Sequence, residues 1–430
     1  MKGHNARIRT ISSRAEAEAV MREIGAEEGG IGVMAPKSQH LCVMLDSLEP
    51  QDANILKQEA LSAGADCAVA AGAVRGEGRT DAFLMGTFSQ LKTIKNKLAP
   101  HYPRLKRLGE EIAAVIENSQ RSRFEMTLPG KRALVLGERT LVMGILNVTP
   151  DSFSDGGAHY STDAAVDYAR CMIAAGADII DIGGESTRPG SEGVTLDEEL
   201  RRTIPVIERL AQESGILISI DTRKAEVARR ALKAGASIIN DVSALYADPA
   251  MAKVVAESEA PVILMHMKGT PKDMQKEPSY KDAMAEIIGF FRERISYAES
   301  CGIPRERIIL DPGLGFGKRT GGGVEDNCGI LRRWRELLTL GLPTLVGASR
   351  KTFIGNVCGG IAGVAKATDA SGGTGRQCRS AQLPPSERLE GGLAAAAVAV
   401  MNGACIIRAH DVLETRRCAD LLDAVIGGQI

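Results

Sequence analysis

Eight short apolar runs, separated by helix-like stretches and each giving way to a polar residue, restrict this chain more than any other feature. They lie at 141–146, 178–182, 217–220, 237–239, 262–264, 308–310, 344–346 and 404–407. Helical patterns occur at 163–175, 197–212, 224–234, 281–301, 327–338 and 386–401, and another at 412–425 closes the chain. Apolar runs this short that do not alternate with polar residues need cover on both faces. Parallel strands joined by crossover helices provide that cover. Eight such units in roughly 290 residues fit a (β/α)8 barrel.

The polar residues at the run ends are Asn147, Asp181, Asp221, Asn240, His266, Asp311, Ser349 with Lys351, and Arg408 with His410. In a barrel of this kind the carboxyl ends of the strands form the active face. A single Asn or Asp at a strand end is ordinary turn chemistry. A full set in register crowds charges at one rim with no gain in stability.

Asp221, Asn240 and Asp311 offer acceptors and an amide from three strands. They suit a flat heterocycle rich in N–H donors, such as a 2-amino-4-oxo-pyrimidine edge. Arg408 and His410, two apart on one strand, point to the same face. With Arg188 in the loop after the second run they describe a phosphate or diphosphate site. Asn147 would add an oxygen ligand for Mg²⁺ arriving with the phosphates. The loops at 147–157 and 183–190 are polar and glycine-bearing, as ordinary βα loops also are, and such loops can close over a diphosphate.

The 430 residues allow more than the barrel. Residues 1–120 read as a small α/β domain, with helical patterns at 14–24, 50–63 and 102–118 and an apolar run at 41–45. His40, Asp46 and His101 are isolated there and suggest no chemistry. The barrel domain is then 121–430, opened by a hairpin at 124–128 and 133–136 around Pro129-Gly130. A Gly-, Ala-, Ser- and Thr-rich stretch at 358–384 has no periodicity and reads as a mobile insertion.

Several partner classes are excluded by composition. There are 53 Lys and Arg against 54 Asp and Glu, and aromatics are 3%, which gives no reason to expect nucleic acid or an acidic membrane surface. The apolar stretch 391–407 is short for a membrane span and reads as a helix followed by a strand. Nine scattered cysteines with no Cys-x-x-Cys pair argue for a reducing, cytoplasmic setting.

Eight segments resemble, in order, the motifs of the dihydropteroate synthase family of pterin-binding barrels. They are Met143-Gly144-Ile145-Leu146-Asn147-Val148-Thr149-Pro150-Asp151-Ser152-Phe153, Asp181-Ile182-Gly183-Gly184-Glu185-Ser186-Thr187-Arg188-Pro189-Gly190, Ser219-Ile220-Asp221-Thr222 and Ile239-Asn240-Asp241. The series continues with Leu264-Met265-His266-Met267, Asp311-Pro312-Gly313-Leu314-Gly315-Phe316-Gly317-Lys318, Ser349-Arg350-Lys351 and Arg408-Ala409-His410-Asp411.

The resemblance implies condensation of 6-hydroxymethyl-7,8-dihydropterin diphosphate with 4-aminobenzoate, giving 7,8-dihydropteroate and pyrophosphate in folate biosynthesis. It implies that Asp221, Asn240, Asp311 and Lys351 hold the pterin. Asn147, Arg188, Arg408 and His410 would hold the diphosphate, with Mg²⁺ at Asn147, and Thr187 would contact the substrate. Phe153, Pro189, Phe316, Lys351 and Thr352 would line the aminobenzoate side. Asp155 would stabilise the developing cation, and Asp155, Lys351 and Asp221 would be the catalytic set. It also implies a homodimer and a sulfonamide target. A methyltetrahydrofolate–corrinoid methyltransferase is the alternative within pterin-binding barrels, but it has no need of a diphosphate clamp. A non-catalytic pterin-binding protein is the other, and retention of the motif residues weighs against it.

Overall fold

A computed structural model describes residues 4–11, 13–130, 132–149, 162–185, 193–270, 274, 278–319, 325–366 and 382–427. The chain divides into two compact units, Met1–Gln120 and Arg121–Ile430.

The first unit runs α1 (Arg14–Glu23), α2 (Glu28–Met34), β1 (His40–Leu48), α3 (Pro50–Ser62), β2 (Asp66–Val69), β3 (Thr80–Thr87), α4 (Phe88–Leu98) and α5 (Pro103–Ser119). Its antiparallel sheet has the order β1-β3-β2. On β3 the residues alternate, with Ala82 and Leu84 buried while Asp81 and Phe83 face out, as period-two pleating requires. Helix α5 buries Leu105, Leu108, Ile112 and Ile116, a helical stripe that packs with Leu56, Leu84 and Ile94. Thr87 and Gln90 cap α4 reciprocally. The patterns at 14–24, 50–63 and 102–118 are helices. The pattern at 41–45 extends to a nine-residue strand. No sequence signal had marked β2, β3 or α4.

The second unit opens with the hairpin β4 (Phe124–Leu128) and β5 (Arg132–Leu136). Then come β6 (Leu141–Asn147), α6 (Thr162–Ala174), β7 (Ile179–Gly183), α7 (Leu196–Glu213), β8 (Leu217–Asp221), α8 (Ala225–Ala234), β9 (Ile238–Asp241), α9 (Met251–Ser258) and β10 (Val262–Met265). The chain continues through α10 (Ala283–Ser300), β11 (Ile308–Asp311), α11 (Glu325–Arg332), β12 (Leu345–Val346), α12 (Thr352–Lys366), α13 (Leu389–Met401), β13 (Ile406–Ala409) and α14 (Val412–Gly427). The eight parallel strands β6 to β13 have the order β11-β10-β9-β8-β7-β6-β13-β12. A parallel bridge from Leu310 to Thr344 joins the two ends, so the sheet closes into the expected (β/α)8 barrel.

The strands sort their residues into two clusters. Val142, Ile180, Ile182, Ile218, Ile220, Ile239, Leu264 and Leu310 pack outward against the helices. Met143, Ile179, Ile238, Ile263, Ile309, Leu345 and Ile406 point inward and meet Phe124, Met126, Leu128, Leu134 and Leu136 of the hairpin. The hairpin thus seals the amino-terminal end of the barrel.

Two differences from the sequence reading have local causes. The pattern at 327–338 is a helix ending at Arg332 followed by a 3-10 turn, Trp334–Leu340. The tighter turn fully buries Trp334, whose Nε1 donates to Thr344 Oγ1 at 3.1 Å. The stretch at 358–384 begins inside α12, which continues to Lys366 after anchoring Phe353 and Ile354 in the core. Residues 367–381 lie outside the described residues. No helix among the described residues is long and apolar enough to cross a membrane.

Candidate active site

Along each strand the inward positions change from apolar to polar toward the carboxyl end. Ile179 is followed two residues later by Asp181, Ile238 by Asn240, Ile309 by Asp311 and Ile406 by Arg408. The period of two makes this a vertical ordering inside the barrel.

Arg408 lies at the centre of this upper layer. Its Nε donates to Asp181 Oδ2 at 2.6 Å and its Nη2 to Asp221 Oδ2 at 2.8 Å. Asn240 Nδ2 donates to the same Asp181 oxygen at 3.0 Å. Asp181 is wholly buried, and among the described residues its Oδ1 has no hydrogen-bond partner; nor has the buried hydroxyl of Ser219. These residues pair across β7 and β8, so two unanswered polar atoms are neighbours inside the barrel. A buried acceptor without a donor is costly, and its presence marks a place for a donor-bearing ligand or water.

Burial pushes the Asp221 carboxyl up to about 7, against the opposing pull of Arg408. Burial also raises Asp311, although Gly313 N–H donates to its Oδ1 at 2.7 Å. Space is left beside both carboxylates by glycine. A Cβ on Gly183 would lie 3.5 Å from Asp221, and one on Gly347 would lie 3.8 Å from Asp311. Nearby, an open groove of about 800 Å³ is lined by Val242, Met265, Met267, Tyr246, Phe290 and Arg223.

The β11 exit carries Phe316, with the Lys351 ammonium 3.8 Å from its ring centroid. On the β13 side Ser349 Oγ and His410 Nδ1 are 3.0 Å apart, and the His410 N–H donates to the same hydroxyl at 3.2 Å. Between Ser349 and Lys351, Arg350 adopts φ 59, a region few side chains favour. Its Nη2 pairs with Asp411 and its carbonyl accepts from Arg388 at 2.9 Å, which holds that conformation in place.

The upper layer offers carboxylate acceptors, an amide and a guanidinium, and its strands lie within the region that known proteins match. The family model for pterin binding enzymes matches residues 143–410. A dihydropteroate synthase from Escherichia coli is 46% identical over 288 residues, covering 67% of this chain and 92% of that protein. A probable bifunctional folylpolyglutamate synthase/dihydropteroate synthase from Halobacterium salinarum is 38% identical over 97% of this chain and 47% of its own length. The solved Xanthomonas albilineans dihydropteroate synthase in complex with 7,8-dihydropteroate has a TM-score of 0.58 and 40% identity, covering 70% of this chain and 98% of that one. The chain belongs to the dihydropteroate synthase family.

Of the residues this family resemblance singled out, the structure gathers Asp221, Asn240, Asp311, Arg408, Lys351, Phe316, Asn147 and His410 at the carboxyl end of one barrel. Asn147 is half-buried at the end of β6, and Thr352 is exposed at the start of α12. Arg408 is engaged with two carboxylates, Asp181 and Asp221. Phe153, Asp155, Thr187, Arg188 and Pro189 lie outside the described residues.

Sequence reasoning left two features unassigned. Asp181 was visible only as a strand-end carboxylate, yet both Arg408 and Asn240 bind it. Glu185 pairs with Arg223 and Lys224, while Lys224 also pairs with the buried Glu199, which accepts from Thr222 Oγ1 at 2.6 Å. This network ties the exit of β7 to that of β8. Burial pushes the Glu185 carboxyl up, but Lys224 and Arg223 together hold it below its ordinary range. Its signal was present: Glu185 and Thr222 fall within motifs, and Lys224 is two residues from Thr222.

Proposed function

We propose that the barrel is a dihydropteroate synthase, joining 6-hydroxymethyl-7,8-dihydropterin diphosphate to 4-aminobenzoate with release of pyrophosphate. The observation that carries this reading is the upper layer of Asp181, Asp221, Asn240 and Arg408, with two unanswered polar atoms facing the barrel interior. A pterin edge supplies N–H donors to Asp221 and carbonyl or ring acceptors to Asn240, while Arg408 balances the two carboxylates. Asp311 and Lys351 complete the ring's contacts. Phe316, stacked with Lys351, and Thr352 serve the aminobenzoate side, together with Phe153 and Pro189.

In the reaction the aminobenzoate nitrogen forms a bond to the pterin methylene. The methylene C–O bond breaks with its electron pair leaving on the diphosphate, and the amine proton passes to solvent. No protein nucleophile is needed, because the electron-rich dihydropterin stabilises the developing cation. Asp155 and the carboxylates at the mouth would add to that stabilisation. Thr187, Arg188 and His410 would steady the leaving group.

A magnesium ion is part of this reading. The Asn147 amide oxygen is a hard donor at the rim, and a single protein ligand suits an ion held mostly by phosphate and water. Among the described residues no cluster of three His, Cys, Asp or Glu offers a rival metal site. When bound, the ion would neutralise charge on the departing diphosphate. We also propose a homodimer, for which α13 and α14 offer exposed Val398, Met401, Leu421 and Val425. Light scattering on the purified chain tests it.

The deciding experiment is pyrophosphate release from the dihydropterin diphosphate with Mg²⁺, with and without 4-aminobenzoate. Release coupled to dihydropteroate formation is expected. Folded protein that binds the pterin yet releases no pyrophosphate overturns the reading.

A further inference from the structure

Lys318 closes the run that begins at Asp311, and its side chain is fully buried. Its described partners include no carboxylate. Nζ donates to the carbonyls of Pro312 at 2.6 Å, Gly313 at 2.7 Å and His266 at 3.0 Å, and lies 2.9 Å from His266 Nδ1. The amine meets three carbonyl acceptors and one ring nitrogen from two strand exits. A buried carbonyl without a donor is costly, and the amine offsets that cost; the Gly313 carbonyl also accepts from the Phe316 N–H at 3.0 Å, so the amine and Phe316 meet at one oxygen. Burial, helped by the Lys351 charge and opposed by that of Asp311, pulls the Lys318 amine well below the ordinary lysine range.

The two exits that Lys318 joins are pressed together. His266 leaves β10, whereas Pro312 and Gly313 leave β11. Gly313, at φ +66, would place a Cβ 2.1 Å from the His266 carbonyl oxygen. Gly317, at φ +59, would place one 2.2 Å from that of Lys268. Only glycine fits either position. The Tyr280 hydroxyl donates to the Gly317 carbonyl at 2.6 Å, and Phe290 packs edge-on to His266 at 4.9 Å. Asp311 Oδ1 is held by the Gly313 N–H, and the carbonyl of that same Gly313 is held by Lys318. Phe316 lies between the two glycines' far ends, two residues before Lys318.

We propose that Lys318 is a positioning residue for the substrate pocket: by tying the β10 exit to the β11 exit it sets where the Asp311 carboxylate and the Phe316 ring stand. It touches neither substrate. The proposal rests on the reading of Asp311 as a pterin residue and Phe316 as part of the aminobenzoate side.

The test compares the full-length chain with Lys318→Met and with Arg307→Met. Arg307 is also buried and also bonds a carbonyl, that of Val255 at 3.4 Å, but at the opposite end of β11. Both variants should melt at lower temperature. Only Lys318→Met should raise the KM and Kd for the dihydropterin diphosphate, by about ten- to a hundredfold, as small misplacements of binding groups do. Lys318→Gln, which keeps two N–H donors, should recover part of that loss. Wild-type kinetics in Lys318→Met overturn the proposal, and so does an equal kinetic change in Arg307→Met. Should Lys318→Met fail to fold, Lys318→Gln is judged on the same KM and Kd criteria. If the wild type binds the pterin but releases no pyrophosphate, the enzymatic reading fails, and the variants' direct pterin affinities still decide this one.

Discussion

The floor and the mouth of the barrel are made by the same strands, yet they solve opposite problems. At the floor, Met143, Ile179, Ile238, Ile263, Ile309, Leu345 and Ile406 interlock with the β4–β5 hairpin in a dry cluster. Two residues higher on several of the same strands stand Asp181, Asn240, Asp311 and Arg408, with two buried polar atoms left unanswered. The floor gains stability from every buried contact. The mouth gathers carboxylates that burial disfavours, held by one guanidinium. Stability is therefore concentrated below and chemistry above, which is how a barrel fold separates the two.

Arg408→Met should break this division most severely. It leaves Asp181 and Asp221 buried without their cation, at a cost of about 3–5 kcal/mol. Urea unfolding should show that loss, and pterin binding should fall with it. Leu136→Ala at the floor follows, with about 2–5 kcal/mol lost to the cavity. There the KM for each substrate should stay at the wild-type value, because the hairpin packs on floor residues that lie two positions below the polar layer. A change in KM for Leu136→Ala would mean that floor and mouth are coupled.

How far this division could be seen in the sequence differs between its halves. The strands announce themselves because buried parallel strands are short and wholly apolar, and the motif residues Asp221, Asn240 and Asp311 sit where each run turns polar. The strand bounds were mostly read one or two residues short, since the polar residue that marks an exit still belongs to the ladder, as Asp221 and Asp311 do. What could not be read was who pairs with whom. Asp181 and Arg408 are 227 positions apart, and only barrel closure brings them together. Lys318 was visible as the last residue of a motif, but its partners are backbone carbonyls, which carry no sequence signal. In the first unit, β2 and β3 escaped notice because one face of each strand is solvated, so neither forms a continuous buried run.

The raised Asp221 carboxyl gives a smaller, pH-dependent difference between the two ends. Its folded-state value of about 7 lies above the ordinary 3.8, so between these values the folded chain holds a proton that the unfolded chain has lost. That contribution to stability is present in full below about pH 4 and is lost as pH rises through 7. Asp311 and Asp241, raised by burial as well, add in the same sense. Asp221→Asn should flatten this part of the stability profile measured without ligand, and no floor substitution should do so. A profile unchanged by Asp221→Asn would show that another group carries the titration.

Ser219→Ala should have the smallest effect on the unliganded chain, and it sharpens the comparison most finely. The Ser219 hydroxyl is buried, and none of the described residues satisfies it. Removing an unpaired buried hydroxyl relieves a desolvation cost, so stability should be unchanged or higher by about 1 kcal/mol. At a floor position, trimming a buried side chain costs stability instead. The sign of the change thus separates the two layers. If the orphan pair Ser219 and Asp181 Oδ1 answers a ligand donor or a water beneath the pterin, affinity for the dihydropterin diphosphate should drop in the same variant that gains stability. Thermal melting with and without the pterin measures both quantities in one experiment. A variant that loses stability without ligand would place Ser219 with the packing layer below, whereas a gain in stability with weakened pterin binding would put the boundary between floor and mouth below Ser219.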